Sequence, residues 1–453
     1  MDDIFRYIDD HLDESLGELT ELCRLPTVSA QKTAIGETAE HVCGLLRDLG
    51  FEAQMLAKRP PGHPVVYAEY ARGGGRSSRT LLFYDHYDVQ PPEPLELWSS
   101  PPFQPELRDG KLYGRGVSDN KGNIAARLAA LRAWKEVRRE LPCAVKFCIE
   151  GDEEIGSPQM EEFVEEHREL LAADACIWEG GGVTWEGVPQ VVLGVKGLLY
   201  VELESNTISG DAHSSYGTVL PNAAWRLAWA LSSIKGPDER VLIDGFYDDV
   251  RPATAEERVA VEALPDENAE TLASYGVKEA LTGVRGVEYR LRHLFEPTAT
   301  IDGLSSGYEG EGPKTVLPAR ALAKMDFRLV PDQDPDDILA KLRRHLDLHG
   351  FGDITLRSLG AERPARTPVT DPLVEVMRRA VRDAYGREAL IVPTMAGTGP
   401  LHPFVATLGL ATADIGIGYP ETRIHAPDEN IRVEDFRNGT KGIAALLGRF
   451  GEG

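Results

Sequence analysis

The stretch Thr80-Leu81-Leu82-Phe83-Tyr84-Asp85-His86-Tyr87-Asp88 is a short apolar run that ends in Asp85, His86 and Asp88. An apolar run of this length, bounded by turn residues, reads as a buried strand. Side chains two apart on a strand share a face, so His86 and Asp88 project together. Imidazole is a common zinc ligand, and a carboxylate on its second ring nitrogen fixes the tautomer. Taken alone the pair is weak evidence. Its weight comes from what surrounds it.

Upstream, residues 1–50 carry Ile4, Ile8 and Leu12, then Val42, Leu45, Leu46 and Leu49, at helical spacing. A second apolar run over 65–70 is separated from the first by Gly73-Gly74-Gly75. No Gly-Lys-Ser/Thr follows those glycines, so they predict a hairpin turn and not a phosphate loop. Downstream, strands are expected over 144–149, 175–178 and 190–193, with helices over 124–134 and 160–171. Such alternation predicts an α/β layer on a largely parallel sheet. Near Gly197 the rhythm changes to strand 198–204, helix 222–234, strands 299–304 and 321–329, helix 336–349 and strand 354–359. That β-α-β-β-α-β order is ferredoxin-like, interrupted by an acidic, partly helical insertion over 236–297. After Pro364 the α/β pattern returns, with helix 372–385, strands 389–392 and 411–417, and helix 433–450. The expected organisation is a first unit in two parts, 1–196 and 363–453, with a ferredoxin-like (α+β) unit inserted at 197–362.

The 453 residues exceed one ordinary core. With 42% apolar and 27% charged residues the chain is neither disordered nor a disulfide-stapled miniprotein. A net charge of −24 repels phosphate backbones and anionic lipid, so no nucleic-acid or membrane partner is expected. No window is apolar enough to span a bilayer, and the acidic start Met1-Asp2-Asp3-Ile4 does not read as a signal peptide. Cys23, Cys43, Cys143, Cys148 and Cys176 are scattered in apolar runs without a Cys-x-x-Cys pair, and are expected as reduced, buried thiols of a cytoplasmic protein.

Four further segments carry chemistry. Gly114-Arg115-Gly116-Val117-Ser118-Asp119-Asn120-Lys121-Gly122 leads into a helix, so Asp119 is either an N-cap or a carboxylate favoured by the helix terminus. Glu150-Gly151-Asp152-Glu153-Glu154 places four acids in five positions straight after a buried strand. A solvated turn tolerates such repulsion, which reaches ~1 kcal/mol per pair in water, whereas a buried one needs a cation. Adjacent Glu153 and Glu154 can then divide the work, one as ligand and one as general base. Glu179 closes a strand before Gly180-Gly181-Gly182, and His425 follows the last strand. At least four of these five segments follow the expected C-terminal ends of strands, where open α/β sheets place their sites. Two histidines with several carboxylates and no thiol suit zinc, and manganese or cobalt as well.

In motif order and in the place of the inserted domain, the whole chain resembles the co-catalytic di-zinc peptidase and deacylase family. That family includes acetylornithine deacetylase, succinyl-diaminopimelate desuccinylase, aminoacylase and the carnosine-type dipeptidases. The resemblance implies a zinc-peptidase-like α/β catalytic domain over 1–196 and 363–453 with 197–362 as a lid or dimerisation domain, and two divalent ions, with His86 and Glu179 on one, Glu154 and His425 on the other, and Asp119 bridging them. It further implies that Asp88 orients His86 and that Glu153 is the general base activating the metal-bound water. Ser209-Gly210-Asp211-Ala212-His213-Ser214 is similar to the family's Gly-x-x-His-Ser segment. There the histidine reaches the partner subunit's site and helps stabilise the oxyanion, which implies a homodimer. Arg328, in Phe327-Arg328-Leu329-Val330-Pro331, matches the dipeptidases' substrate-binding arginine. Gly397-Thr398-Gly399-Pro400 resembles the carboxylate-binding loop, but departs from the dipeptidases' Gly-Gly-Ser-Ile-Pro. At the fourth ligand, Glu179 is the residue of the deacylase and carboxypeptidase branches, whereas Arg328 and the insertion point to the dipeptidases. The expected reaction is therefore hydrolysis of the amide bond of a dipeptide or N-acyl amino acid. Hydrolysis of carbamoyl or other non-peptide amides on the same metals, or a catalytically silent metal-binding protein, are the alternatives. No Gly-x-Ser-x-Gly elbow supports a serine nucleophile.

Overall fold

A computed structural model describes residues 1–60, 62–70 and 77–452. The chain forms two compact units, one of Met1–Gly194, Arg366–Pro393 and Pro400–Gly453, the other of Val195–Ala365 and Thr394–Gly399.

The first unit is built on a six-stranded sheet. Its strands run in the order Glu52–Leu56, Val65–Tyr70, Ala144–Glu150, Thr80–His86, Ala175–Trp178, Thr412–Asp414. Thr80–His86 pairs in parallel with both Ala144–Glu150 and Ala175–Trp178, which in turn leads to Thr412–Asp414, also in parallel. The first two strands pair antiparallel with their neighbours. The expected hairpin is thus corrected in one respect: Val65–Tyr70 and Thr80–His86 lie on opposite sides of Ala144–Glu150 and do not pair. The glycine turn at 73–75 lies outside the described residues. Gln190–Val192 leaves the main sheet and pairs with Leu390–Val392 in a separate two-stranded ladder.

Apolar alternation explains the layers. Leu81, Phe83, Val145, Phe147 and Ile149 are buried in one core with Ile124, Leu128 and Leu131 of the helix Lys121–Arg138 and with Ile443, Leu446 and Leu447 of Val433–Gly451. Trp134 Nε1 donates to the Ala444 carbonyl at 2.8 Å, fixing those two helices together. Helix Pro372–Tyr385 starts where its pattern predicts, with the Asp371 carboxylate accepting from the Leu373 N–H at 2.8 Å ahead of a proline at the first helical position.

The second unit has the β-α-β-β-α-β order expected. Its antiparallel sheet runs Thr300–Ser306, Arg320–Leu329, Gly197–Asn206, Thr355–Glu362, with helices Ala223–Ile234 and Pro335–Leu348 contributing Leu227, Ile234, Ile338 and Leu342 to its core. The insertion folds into helices Ala255–Glu262, Asn268–Ser274 and Gly286–Phe295, with a small core of Val261, Leu291, Leu294 and Phe295. Thr254 and Glu257 form a reciprocal capping box at its first helix. No helix among the described residues is long and apolar enough to cross a membrane.

Asp414, at the end of an edge strand of the first unit, is buried. One carboxylate oxygen accepts from the Val192 N–H at 2.8 Å and the other has no hydrogen-bond partner among the described residues. Burial raises its pKa to about 7. A carboxyl whose folded pKa is raised contributes stability below its unfolded value, near 4, and loses it as pH rises through 7. Asp414→Asn is therefore expected to flatten the fall in melting temperature between pH 4 and pH 8, with little change at pH 4. Parallel slopes for the two proteins would show that Asp414 does not titrate in this way.

Candidate metal centre

Parallel pairing brings the strand ends together. His86 is level with Glu150 across the ladder, and Phe83 with Ile177, so His86, the 150–154 turn and Glu179 emerge at one edge. Arg127, buried on the helix behind the sheet, fixes that edge from beneath. Its guanidinium donates to the carbonyls of Tyr84 and Trp178 at 2.6 and 2.7 Å and pairs with Asp85 at 2.5 Å. The Glu179 loop is then set by glycine. Gly180 and Gly181 have φ of +89° and +84°, and a β-carbon on Gly182 would stand 2.0 Å from the Gly418 carbonyl oxygen. Only a chain without side chains packs so closely on the segment 416–418.

His86 is buried. Its Nδ1 lies 3.1 Å from the Asp88 carbonyl oxygen and 3.3 Å from the Asp88 carboxylate, which holds the proton on Nδ1. Nε2 faces Asp119 at 3.1 Å, Glu179 at 3.4 Å and Glu153 at 3.9 Å. The other oxygen of Asp119 lies 3.1 Å from His425 Nε2, and Glu154 is 3.0 Å from that same nitrogen. Asp119 therefore stands between the two imidazoles with one oxygen toward each. His425 is exposed and adopts a left-handed φ of +59°, a conformation kept by side chains only where the surroundings impose it. Asp88 does more than orient His86: its two oxygens also accept from the N–H groups of Glu153 and Glu154 at 3.2 and 3.1 Å. Gln90 completes the cradle, with its side-chain amide 2.9 Å from the Glu154 carboxylate.

The acidic turn divides in two. Glu150 and Asp152 point away from the histidines and share the buried ammonium of Lys58, 2.9 Å from Glu150. Tyr84 and Ser157 also donate to Glu150, at 2.7 and 2.8 Å. Burial works against the Glu150 charge, but Lys58 outweighs it and holds the pKa down at about 2. The cation that the sequence demanded for these two acids is thus a lysine. Glu153 and Glu154 have no such partner and face the histidines.

There the electrostatics call for positive charge. Burial, followed by the charge of Glu179, pushes the Glu153 pKa well above the carboxylate range, and burial does the same to Glu179. Hydrogen bonding to Asp119 and Glu154 raises that of His425 to about 10. For Asp119, burial is overcome by the hydrogen bonds from His425 and His86, which lower its pKa. Two sets of donor atoms converge closely enough to share an ion: His86, Glu153 and Glu179, and His86, Asp119 and Glu154. Imidazole and carboxylate donors without thiol fit a borderline divalent cation such as zinc.

Four contributors, Lys58, Gln90, Arg127 and Glu429, were not singled out in the sequence. Arg127 left a signal, a charged residue on the apolar face of a helix. Glu429, in the His425 segment, left none. Its buried carboxylate accepts from Arg115 at 2.8 Å and from the N–H groups of Gly116, Ser118 and Asp119 at 3.0 Å each. The adjoining strands Lys111–Tyr113 and Asn430–Arg432 pair in register, zipping the Asp119 loop to the His425 segment. In the second unit, Arg328 is held by Asp326 at 3.2 Å and donates to the Thr398 hydroxyl at 2.8 Å. The Gly397 carbonyl accepts from the Lys196 N–H at 2.9 Å, and Gly399 closes this short return segment. His213 is exposed there, its Nδ1 accepting from the Ser215 N–H at 3.1 Å.

The chain belongs to peptidase family M20/M25/M40, whose model matches residues 82–449. Within that family it is similar to human Beta-Ala-His dipeptidase, 28% identical over 99% of this chain and 92% of the relative. It is likewise similar to the Cys-Gly metallodipeptidase DUG1 of Saccharomyces cerevisiae, 27% identical over 99% and 98%. Among solved structures, the M20 family metallo-carboxypeptidase Sso-CP2 from Sulfolobus solfataricus matches with a TM-score of 0.90 at 39% identity, over 97% of this chain and 99% of that one.

Glu429→Gln keeps the shape and removes the charge that anchors the Asp119 loop. Metal retention against a competing chelator should fall by roughly 10-fold, the scale of outer-sphere changes at metal sites, with the circular dichroism spectrum unchanged. Retention equal to the parent would make Glu429 a fold residue only.

Proposed function

We propose that the protein is a cytoplasmic, homodimeric di-metal peptidase that cleaves the amide bond of a dipeptide or N-acyl amino acid. The observation that carries this reading is the Asp119 carboxylate, one oxygen 3.1 Å from His86 and the other 3.1 Å from His425. A carboxylate so placed suits a bridge between two divalent ions, His86 and Glu179 serving one and Glu154 and His425 the other. Zinc best matches the donor set. When bound, such a pair polarises the scissile carbonyl and makes water acidic enough to attack at neutral pH.

The residues themselves do the rest. Asp88 keeps the His86 proton on Nδ1, leaving Nε2 as an electron-pair donor. Glu153 takes a proton from the attacking water onto its carboxylate and delivers it to the leaving nitrogen. Arg328, Gly397, Thr398 and Gly399 are proposed to receive the substrate carboxylate, for which a guanidinium fork is suited. His213 is proposed to steady the oxyanion in the partner's site. The names of the relatives, two dipeptidases and a metallo-carboxypeptidase, support a substrate with a free C-terminal carboxylate.

Exposed apolar surface on the second unit supports a dimer. Trp225 and Trp229 stack at 5.9 Å on one helix while remaining 61% and 56% exposed, and the edge strand Thr300–Ser306 shows Ile301 and Leu304 to solvent. Five free, buried cysteines suit a reducing compartment.

Glu153→Ala should lower turnover of a dipeptide and N-acyl amino acid panel by ~10²–10⁴-fold while elemental analysis still finds about two metals per chain. Loss of metal in parallel with activity would mean that Glu153 is a ligand and Glu154 the base. Chelation should abolish activity of the parent, and metal return should restore it. Replacing both Trp225 and Trp229 by Glu is expected to shift the sedimentation coefficient from dimer to monomer and to reduce turnover. A parent that sediments as a fully active monomer would contradict the assigned role of His213.

A further inference from the structure

The second unit contains a cavity of about 980 Å³, lined largely by the insertion. Its apolar walls include Val241, Leu272, Val277, Leu281 and Val284. That size and lining belong to sites for small organic molecules, which add a few fixed polar groups to an apolar wall. One such group is Lys196, which lines the cavity and is 2% exposed. Its ammonium makes a single hydrogen bond, to the Glu296 carbonyl at 2.6 Å, and among the described residues no carboxylate forms an ion pair with it. Of the acids around the cavity, Glu239 pairs with Lys235 at 2.6 Å, Glu296 with Arg292 at 3.2 Å and Glu279 with Arg285 at 2.9 Å, while Asp238 accepts from the Arg240 N–H at 3.3 Å. Buried cations in proteins are paired as a rule. Lys196 feels the Glu296 charge, but that carboxylate is shared with Arg292, and no acid among the described residues pairs directly with the Lys196 ammonium.

We infer that this cavity binds a monocarboxylate with an apolar body, its carboxylate on Lys196 Nζ and its chain against the valine and leucine wall. Burial lowers the Lys196 pKa to about 8, so near neutral pH the amine is still charged, and an entering anion relieves the cost of keeping it so. The cavity also reaches Arg328, proposed above to receive the substrate carboxylate, and the Lys196 and Leu281 variants separate the two readings.

Sodium octanoate and 1-octanol, titrated calorimetrically into the metal-loaded full chain at pH 7, test it. Octanoate should bind at least tenfold more tightly than octanol, and should still bind after chelation. Lys196→Met should erase the preference and Lys196→Arg should keep part of it. Leu281→Asp, at a wall residue that is 65% exposed and therefore safe for folding, should weaken octanoate at least tenfold. Equal binding of acid and alcohol would overturn the inference, as would parental affinity in the Leu281→Asp and Lys196→Met proteins. Loss of octanoate binding on chelation would place the ligand at the metal centre and overturn it too.

Discussion

Gathering Asp88, Asp119, Glu153, Glu154 and Glu179 around one buried and one exposed imidazole sets like charges against each other in a poorly screened space. Every neighbouring element answers that repulsion. Lys58 takes Glu150 and Asp152 out of the cluster, Arg127 neutralises Asp85 just behind it, and Arg115 meets Glu429 at its flank. What remains facing His86 and His425 is a ring of carboxylates with no lysine or arginine paired to it among the described residues, a donor set that fits a divalent cation.

The six-stranded sheet is the other half of the constraint. Parallel strands end level with one another, so ligands far apart in sequence meet without a long connecting loop. Backbone contacts then hold the remaining degrees of freedom. The 180–182 glycines lie against 416–418, and the Lys111–Tyr113 ladder ties the Asp119 loop to the His425 segment.

Much of this was legible in the residues. Apolar runs closing in His86, Glu150 and Glu179 marked strand ends, and the shift of rhythm at Gly197 marked a second fold of β-α-β-β-α-β order. Less legible were features that depend on partners distant in sequence. Nothing local says that Lys58 reaches Glu150, 92 residues on, so the four acids of the turn looked alike when they are two pairs with opposite surroundings. Glu429 looked like one more charge in a loop because its donors are backbone N–H groups more than 300 residues away. Strand order failed for the same reason: nearness in sequence suggested a hairpin between 65–70 and 80–86, whereas the better-matched neighbour of both is Ala144–Glu150.

The lysine beneath the acidic turn has a structural consequence. Lys58 belongs to the chain and cannot be washed out, and its contacts to Glu150 and Asp152 set the turn from which Glu153 and Glu154 project. The turn that carries Glu153 and Glu154 is thereby pinned by a cation belonging to the chain itself, whatever those two carboxylates hold.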